Sequence, residues 1–196
     1  MTENYNKMLD LIKDYHKDQT RNNGKVPYWH HCASVAEILA SAVKQSREIN
    51  DNALLDDLLV AALAHDLIED TTMTPEELKQ KTNSRTLDLV MNMTNTEDDE
   101  HRTGYMAKIQ NATEEVLLIK ICDLIENTIS CAYGIPDLTK KWVKEFYMPI
   151  FEDTKKVIDQ KKIEHYPQTA NILMSYLAFS EERLYHNISK YEEEHK

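Results

Sequence analysis

The stretch Ala61-Ala62-Leu63-Ala64-His65-Asp66-Leu67-Ile68-Glu69-Asp70-Thr71 (AALAHDLIEDT) closes the least polar part of the chain. Its helical spacing predicts a helix from about Asn52 to Asp70. Four ionisable residues, His65, Asp66, Glu69 and Asp70, sit inside this apolar run. On a continuous helix they share one face, because residues three and four apart are neighbours. Burying even one unpaired carboxylate costs several kcal/mol, and adjacent carboxylates repel one another. The cluster therefore calls for either a bound cation or contact with water. From this segment alone two readings stay open: a divalent-metal site, or a final helical turn emerging into solvent with His65 a satisfied core histidine.

Working outward, helical periodicity covers most of the chain. Tyr5, Met8, Leu9, Leu11, Ile12 and Tyr15 predict a first helix from Asn4 to about Thr20, broken by Asn22-Asn23-Gly24. A second helix is expected from about His31 through Val35, Ile38, Leu39 and Val43. Thr74-Pro75-Glu76-Glu77 combines a capping threonine, a proline at the first helical position and a glutamate at the third, which marks a helix start. That short helix runs to Lys81, with Asn83 expected as a left-handed cap before the next helix through Leu87, Leu89, Val90 and Met93. Further helices are predicted at 101–111, 113–131, 137–161 and 167–192, with Pro149 interrupting the third of these. With only three glycines and five prolines in 196 residues, the composition agrees with an all-α fold, a compact multi-helix bundle forming one domain over 1–196. The helices after residue 134 could cover the core or form the surface of a homo-oligomer; their amphipathic pattern fits both.

The formal net charge of −11 disfavours nucleic acid and anionic membrane surfaces as partners. A small anionic ligand would need a local counterweight, either a metal or a few placed cations. No apolar run approaches the roughly 20 residues that span a bilayer, and the start MTENYNKMLD lacks a signal-peptide core, so a cytoplasmic location is expected. Cys32, Cys122 and Cys131 form no CxxC pair and read as buried thiols.

Two further segments carry chemistry. In IKICDLIENT, Asp123 lies among Ile119, Ile121, Cys122, Leu124 and Ile125, with Asn127 one turn later on the same face. Taken alone, a buried Asp of this kind is a helix-to-helix hydrogen bond or ion pair. In PYWHHC, residues 27–32, His30 and His31 stand at the entrance to the second helix as candidates for metal or phosphate contact. Together His31, His65, Asp66 and Asp123 supply two nitrogen and two oxygen ligands, a set suited to Mn²⁺, Fe²⁺ or Zn²⁺ more than to Ca²⁺.

A lone His, a His-Asp pair and a distant Asp, all on helices, resemble the HD superfamily of metal-dependent phosphohydrolases. The run His16-x-x-Gln19-x-Arg21-x-x-Gly24-x-x-Pro27-Tyr28-x-x-His31, then Val35-Ala36 and His65-Asp66-x-x-Glu69-Asp70-Thr71, resembles the hydrolase domain of RelA/SpoT-type alarmone enzymes. Thr74-x-x-Glu77, Leu89-Val90, Met93-Thr94 and Ile119-Lys120-x-x-Asp123-x-x-x-Asn127 continue the likeness, which spans about residues 10–130 and is nearest to the stand-alone small alarmone hydrolases. The resemblance implies a Mn²⁺-dependent 3′-pyrophosphohydrolase acting on the nucleotide (p)ppGpp to give GDP or GTP and pyrophosphate. By the same likeness His31, His65, Asp66 and Asp123 hold the metal, Glu69 and Asp70 activate water, and Arg21 and Asn127 contact the nucleoside. Arg102, Lys108 and Lys120 are candidate phosphate partners or solvated helix-face charges.

The chain also departs from the family pattern. Asn22 and Cys32 replace a basic residue and a proline, one extra residue lies between Gly24 and Pro27, and Ile125-Glu126 replaces Leu-His. All but Cys32 fall where the nucleotide is read. Two alternatives therefore stand beside the alarmone reading: another phosphorylated nucleotide as substrate, such as a dinucleotide cofactor phosphate, or a catalytically silent nucleotide-binding module.

Overall fold

The computed structural model of the chain describes residues 2–22, 24–95, 103–134 and 142–194. Among these residues the only β pairing is an isolated antiparallel bridge between Thr20 and Pro27, and all other regular structure is helical. The helices are α1 (Glu3–Tyr15), α2 (Trp29–Ser46), α3 (Asn52–Ala64), α4 (Leu67–Asp70), α5 (Pro75–Lys81), α6 (Ser84–Met91), α7 (Thr103–Gln110) and α8 (Glu114–Gly134). A π-helical turn over Val143–Tyr147 then leads into α9 (Met148–Asp159), and α10 (Pro167–Glu194) follows. None of the described helices is long and apolar enough to cross a membrane.

Helix α3 is central, and its sequence shows why. Asp51 caps its start by accepting from the N–H groups of Ala53 and Leu54. The run Leu58 to Ala64 is buried on every side, its alanines letting α1, α2 and α6 approach closely. Helix α8 is the second axis of the core, buried from Val116 to Ile125 and covered by α2 and α10. On α10, Leu173, Leu177 and Leu184 are fully buried. The three cysteines are all buried and unpaired.

Several element boundaries differ from the sequence expectation. The first helix stops at Tyr15 because His16 turns inward and its Nδ1 engages Gln19 Oε1 at 2.5 Å. The chain then reverses at Gly24, whose φ of 68° is left-handed, and Arg21 N–H donates to Val26 O at 2.7 Å across the turn. Asn83 is not a left-handed cap. Its backbone is extended and its side chain caps the start of α6 by accepting from Thr86 N–H. Pro149 does interrupt its segment as expected: it lies in the first turn of α9, immediately after the π-helical turn Val143–Tyr147. The expected helix over 137–161 is described only from residue 142.

The most consequential difference is in the third helix. It ends at Ala64, and His65 and Asp66 form a turn before α4 resumes at Leu67. The Ala62 carbonyl, which a continuous helix offers to the Asp66 N–H, accepts from His65 Nδ1 at 2.8 Å. This competition loosens the ladder where the ionisable cluster begins.

Candidate active site

Three parts of the core meet at one cavity of about 230 Å³, lined by Tyr28, His31, His65, Asp66, Glu69 and Asp70 and, from α8, by Lys120, Asp123 and Asn127. Helix α2 supplies His31, the turn between α3 and α4 supplies His65 and Asp66, and α8 supplies Asp123. His31 Nε2 stands 3.1 Å from His65 Nε2, 3.3 Å from Asp66 Oδ2 and 3.2 Å from Asp123 Oδ1. His65 Nε2 is 3.1 Å from Asp66 Oδ2 and 3.8 Å from Asp123 Oδ1. Asp123 is thus brought to both histidines, while its other oxygen makes the ion pair with a lysine, Lys120, that the plainer reading expects.

The hydrogen bonds around this centre fix what its atoms can do. His31 Nδ1 is 2.5 Å from Glu126 Oε2, and His65 Nδ1 is 2.8 Å from Ala62 O. Carboxylate and carbonyl oxygens only accept, so each ring places its proton on Nδ1. Both neutral imidazoles then direct Nε2 lone pairs at each other and at two carboxylate oxygens. Such a concentration of electron pairs is repulsive unless a cation sits among them. His31, His65 and Asp66 offer ligand atoms that all lie within 4.8 Å of one another, and the nitrogen-and-oxygen donor set fits a divalent transition metal.

Without a cation the same field acts on protons. Burial disfavours the charged form of His65, but the Asp66 charge and hydrogen bonds to Asp123 and Asp66 outweigh it and lift the imidazole to about 9. His31 is raised well above its ordinary value in spite of burial, through hydrogen bonds to Asp123, Asp66 and Glu126. Burial likewise opposes ionisation of Asp66 and Asp123, yet the His65 charge beside Asp66 and the Lys120 ammonium beside Asp123 hold both carboxyls well below the usual range.

Glu69 and Asp70 line the same cavity from α4. Burial pushes the Glu69 carboxyl upward against a 2.7 Å hydrogen bond from Asn95 N–H. Burial and then the Asp66 charge raise Asp70. Gln19 Nε2 donates to the Asp70 carbonyl at 2.6 Å and ties the end of α4 to the loop after α1. Both carboxylates thus stand at the cavity wall with increased proton affinity, which suits general bases.

Other residues fall into place less simply. Asn127 Nδ2 donates to Asp123 Oδ1 at 2.6 Å, and Arg21 donates to Asn127 Oδ1 at 2.9 Å and to Glu126 Oε2 at 2.7 Å. Lys120 is no solvated charge. It is largely buried, donates to Asp123 Oδ2 at 2.6 Å and lies 5.3 Å from the centre of the Tyr105 ring. Lys108 donates to Thr94 O at 2.8 Å, and Arg102 lies outside the described residues. His30 stacks on Trp29 at 3.7 Å and does not line the cavity. Two contributors carry no assigned role in the sequence. Tyr28 donates to Asp66 Oδ2 at 2.7 Å, and Glu126 touches His31. The signal for Glu126 was its position three residues after Asp123, on the same face of α8.

A bundle of this shape with a His/Asp centre of this composition defines a class, and comparison with known proteins gives it a name. The HD domain profile matches residues 9–123, and the chain belongs to that family. It is 28% identical over 152 residues to the guanosine-3′,5′-bis(diphosphate) 3′-pyrophosphohydrolase of Haemophilus influenzae, covering 71% of this chain and 21% of that protein. The chain thus spans about a fifth of the length of this bacterial relative. It is also 28% identical over 148 residues to the guanosine-3′,5′-bis(diphosphate) 3′-pyrophosphohydrolase MESH1 of Drosophila melanogaster, covering 74% of this chain and 76% of that one. A solved structure described as a metazoan ortholog of SpoT that hydrolyses ppGpp aligns with a TM-score of 0.70. The alignment covers 89% of this chain and 96% of that one at 20% identity, a likeness of fold.

Proposed function

We propose that this chain is a Mn²⁺-dependent hydrolase that removes the 3′-diphosphate of (p)ppGpp, giving GDP or GTP and pyrophosphate. The observation that carries this reading is the convergence of His31 Nε2 and His65 Nε2 with the carboxylates of Asp66 and Asp123 at one end of an acidic cavity. These four residues would hold the metal. Fe²⁺ or Zn²⁺ would suit the same donors. When bound, the ion supplies a Lewis acid that neutralises phosphoryl charge and makes water at the centre more acidic. That counterweight matters because the cavity wall carries four carboxylates against the ammonium of Lys120.

The chain's own residues account for the rest. Glu69 and Asp70 take the proton of the attacking water, and their burial-raised proton affinity favours that transfer. Water adds across the bond between the ribose 3′ oxygen and the diphosphate, and the 3′ oxygen leaves with a proton. Arg21 and Asn127, at the α8 side of the centre, are the nucleoside contacts in this reading. The whole of 1–196 acts as one HD hydrolase domain in the cytoplasm, free of nucleic acid and membrane, with a homo-oligomer as the assembly to check by mass measurement in solution.

A second reading keeps the metal chemistry and changes the nucleotide. It rests on Arg21, which is bonded to Glu126 and Asn127 beside a loop of altered length. Incubating the Mn²⁺-loaded protein separately with ppGpp, GTP and NADPH, with Asp66→Ala as control, distinguishes the two. Pyrophosphate and GDP released from ppGpp by the wild type alone support the alarmone reading. Cleavage of another nucleotide only would replace it, and no cleavage at all would leave a silent nucleotide-binding module.

A further inference from the structure

The departure at Glu126 has a structural counterpart. Its Oε2 lies 2.5 Å from His31 Nδ1 and accepts from Arg21 at 2.7 Å. Both side chains of the ion pair are mostly buried, at 10% and 17% exposure for Arg21 and Glu126. His31 itself is buried between two cavities, one holding the metal-competent centre and one lined by Arg21, Val26, His30, Glu126 and Tyr133. From the second cavity's side, the direct contact of Glu126 with the centre is through the His31 imidazole.

We infer that Glu126 is the positioning residue of this metal centre, holding the His31 ring by its Nδ1–H, and that Arg21 holds Glu126. A carboxylate behind a ligand imidazole fixes its tautomer, orients the ring and increases the basicity of Nε2. Arg21 restrains the carboxylate and joins Asn127 Oδ1 at 2.9 Å, while Asn127 reaches Asp123 Oδ1 at 2.6 Å. One guanidinium is therefore linked to two members of the candidate ligand set, by way of Glu126 to His31 and by way of Asn127 to Asp123. A nucleotide that engages Arg21 would be felt at the metal. This inference rests on the metal reading above and specifies what stands behind it.

The test is a Mn²⁺ titration followed by EPR, on the full chain without nucleotide, for wild type, Glu126→Gln, Glu126→Asp and Asp66→Ala. Far-UV circular dichroism establishes that each variant is folded. Removing such a support costs about 10- to 100-fold in metal affinity. The expected result is a loss in that range for Glu126→Gln, which keeps an acceptor but loses the charge. Glu126→Asp, whose carboxylate is one methylene too short, should lose a comparable factor. Pulsed EPR should also show a changed coupling of the His31 nitrogen, which a merely structural residue would leave alone. Folded Glu126→Gln and Glu126→Asp variants that both bind Mn²⁺ within twofold of wild type, with Asp66→Ala not binding, would overturn this inference alone. A wild type that binds no Mn²⁺ would overturn the metal reading together with it.

Discussion

His65 Nε2 and Asp66 Oδ2 lie 3.1 Å apart, although successive residues of a continuous α-helix point about 100° away from each other. Both sit in the turn between α3 and α4, and Tyr28 holds the Asp66 carboxylate with a 2.7 Å hydrogen bond. Asp66→Ala should therefore abolish hydrolysis and lower divalent-metal affinity by more than about 100-fold, beyond the loss typical of a supporting residue. Isothermal titration with Mn²⁺ measures the affinity. Unchanged binding would mean the centre does not use this carboxylate.

Proton competition gives the second prediction. His65 in the metal-free protein is raised to about 9 from its ordinary 6.5, so protonation stabilises the fold. The stabilisation is fully present below pH 6.5 and is lost as pH rises through about 9, a change on the order of 3 kcal/mol. Asp66 has the opposite sense: its contribution is present above its ordinary 3.8 and is lost as pH falls through its depressed value. Melting curves in chelator should thus fall between pH 6.5 and 9, and the rise in Tm on adding Mn²⁺ should grow over the same window. A metal-induced shift that is flat with pH would contradict competition between proton and metal at His65.

Glu69 and Asp70 should separate binding from chemistry. Neither belongs to the closely spaced donor set of His31, His65 and Asp66, so Glu69→Gln and Asp70→Asn should bind Mn²⁺ within a few-fold of wild type. Loss of a general base costs about 10²–10⁴-fold, and the loss should appear in kcat with KM nearly unchanged. Steady-state kinetics with ppGpp at saturating Mn²⁺ provide the measurement. A large change in metal affinity would move these carboxylates into the ligand set.

The C-terminal helices make a stability prediction. Phe151 on α9 is completely buried, and Tyr147 lies 6.1 Å from it, ring centre to ring centre. Phe151→Ala should lower unfolding stability by about 3–5 kcal/mol through lost burial and a residual cavity. Urea denaturation of the metal-free protein checks this. A loss below about 1 kcal/mol would show that α9 is peripheral to the cooperative core.

The sequence made the helices legible wherever pattern and capping agreed. Thr74-Pro75 marked the start of α5 correctly because Thr74 does accept from Glu77 N–H. Periodicity could not reveal the break at His65, since the side chain that competes for the Ala62 carbonyl is itself compatible with a helix. Asn83 was misread for a related reason: asparagine serves both helix ends, and the backbone angle that separates the two roles is not written in the sequence. Within the site, His31, His65, Asp66 and Asp123 could be picked out because each is an ionisable residue beside or within an apolar helical segment. Lys120 was harder. A lysine is ordinarily solvated, and only the packing of Tyr105 and Asp123 around it explains its burial.

The order of the candidate ligands along the chain has a temporal meaning. His31, His65 and Asp66 are synthesised first, whereas Asp123 follows only after α5, α6 and α7 have been made. A nascent chain lacking α8 would also lack Glu126 and Asn127, and with them both supports that link Arg21 to the centre. On the metal reading, capture by all four residues waits until α8 has been made, so the growing polypeptide carries no finished candidate centre until that helix is in place.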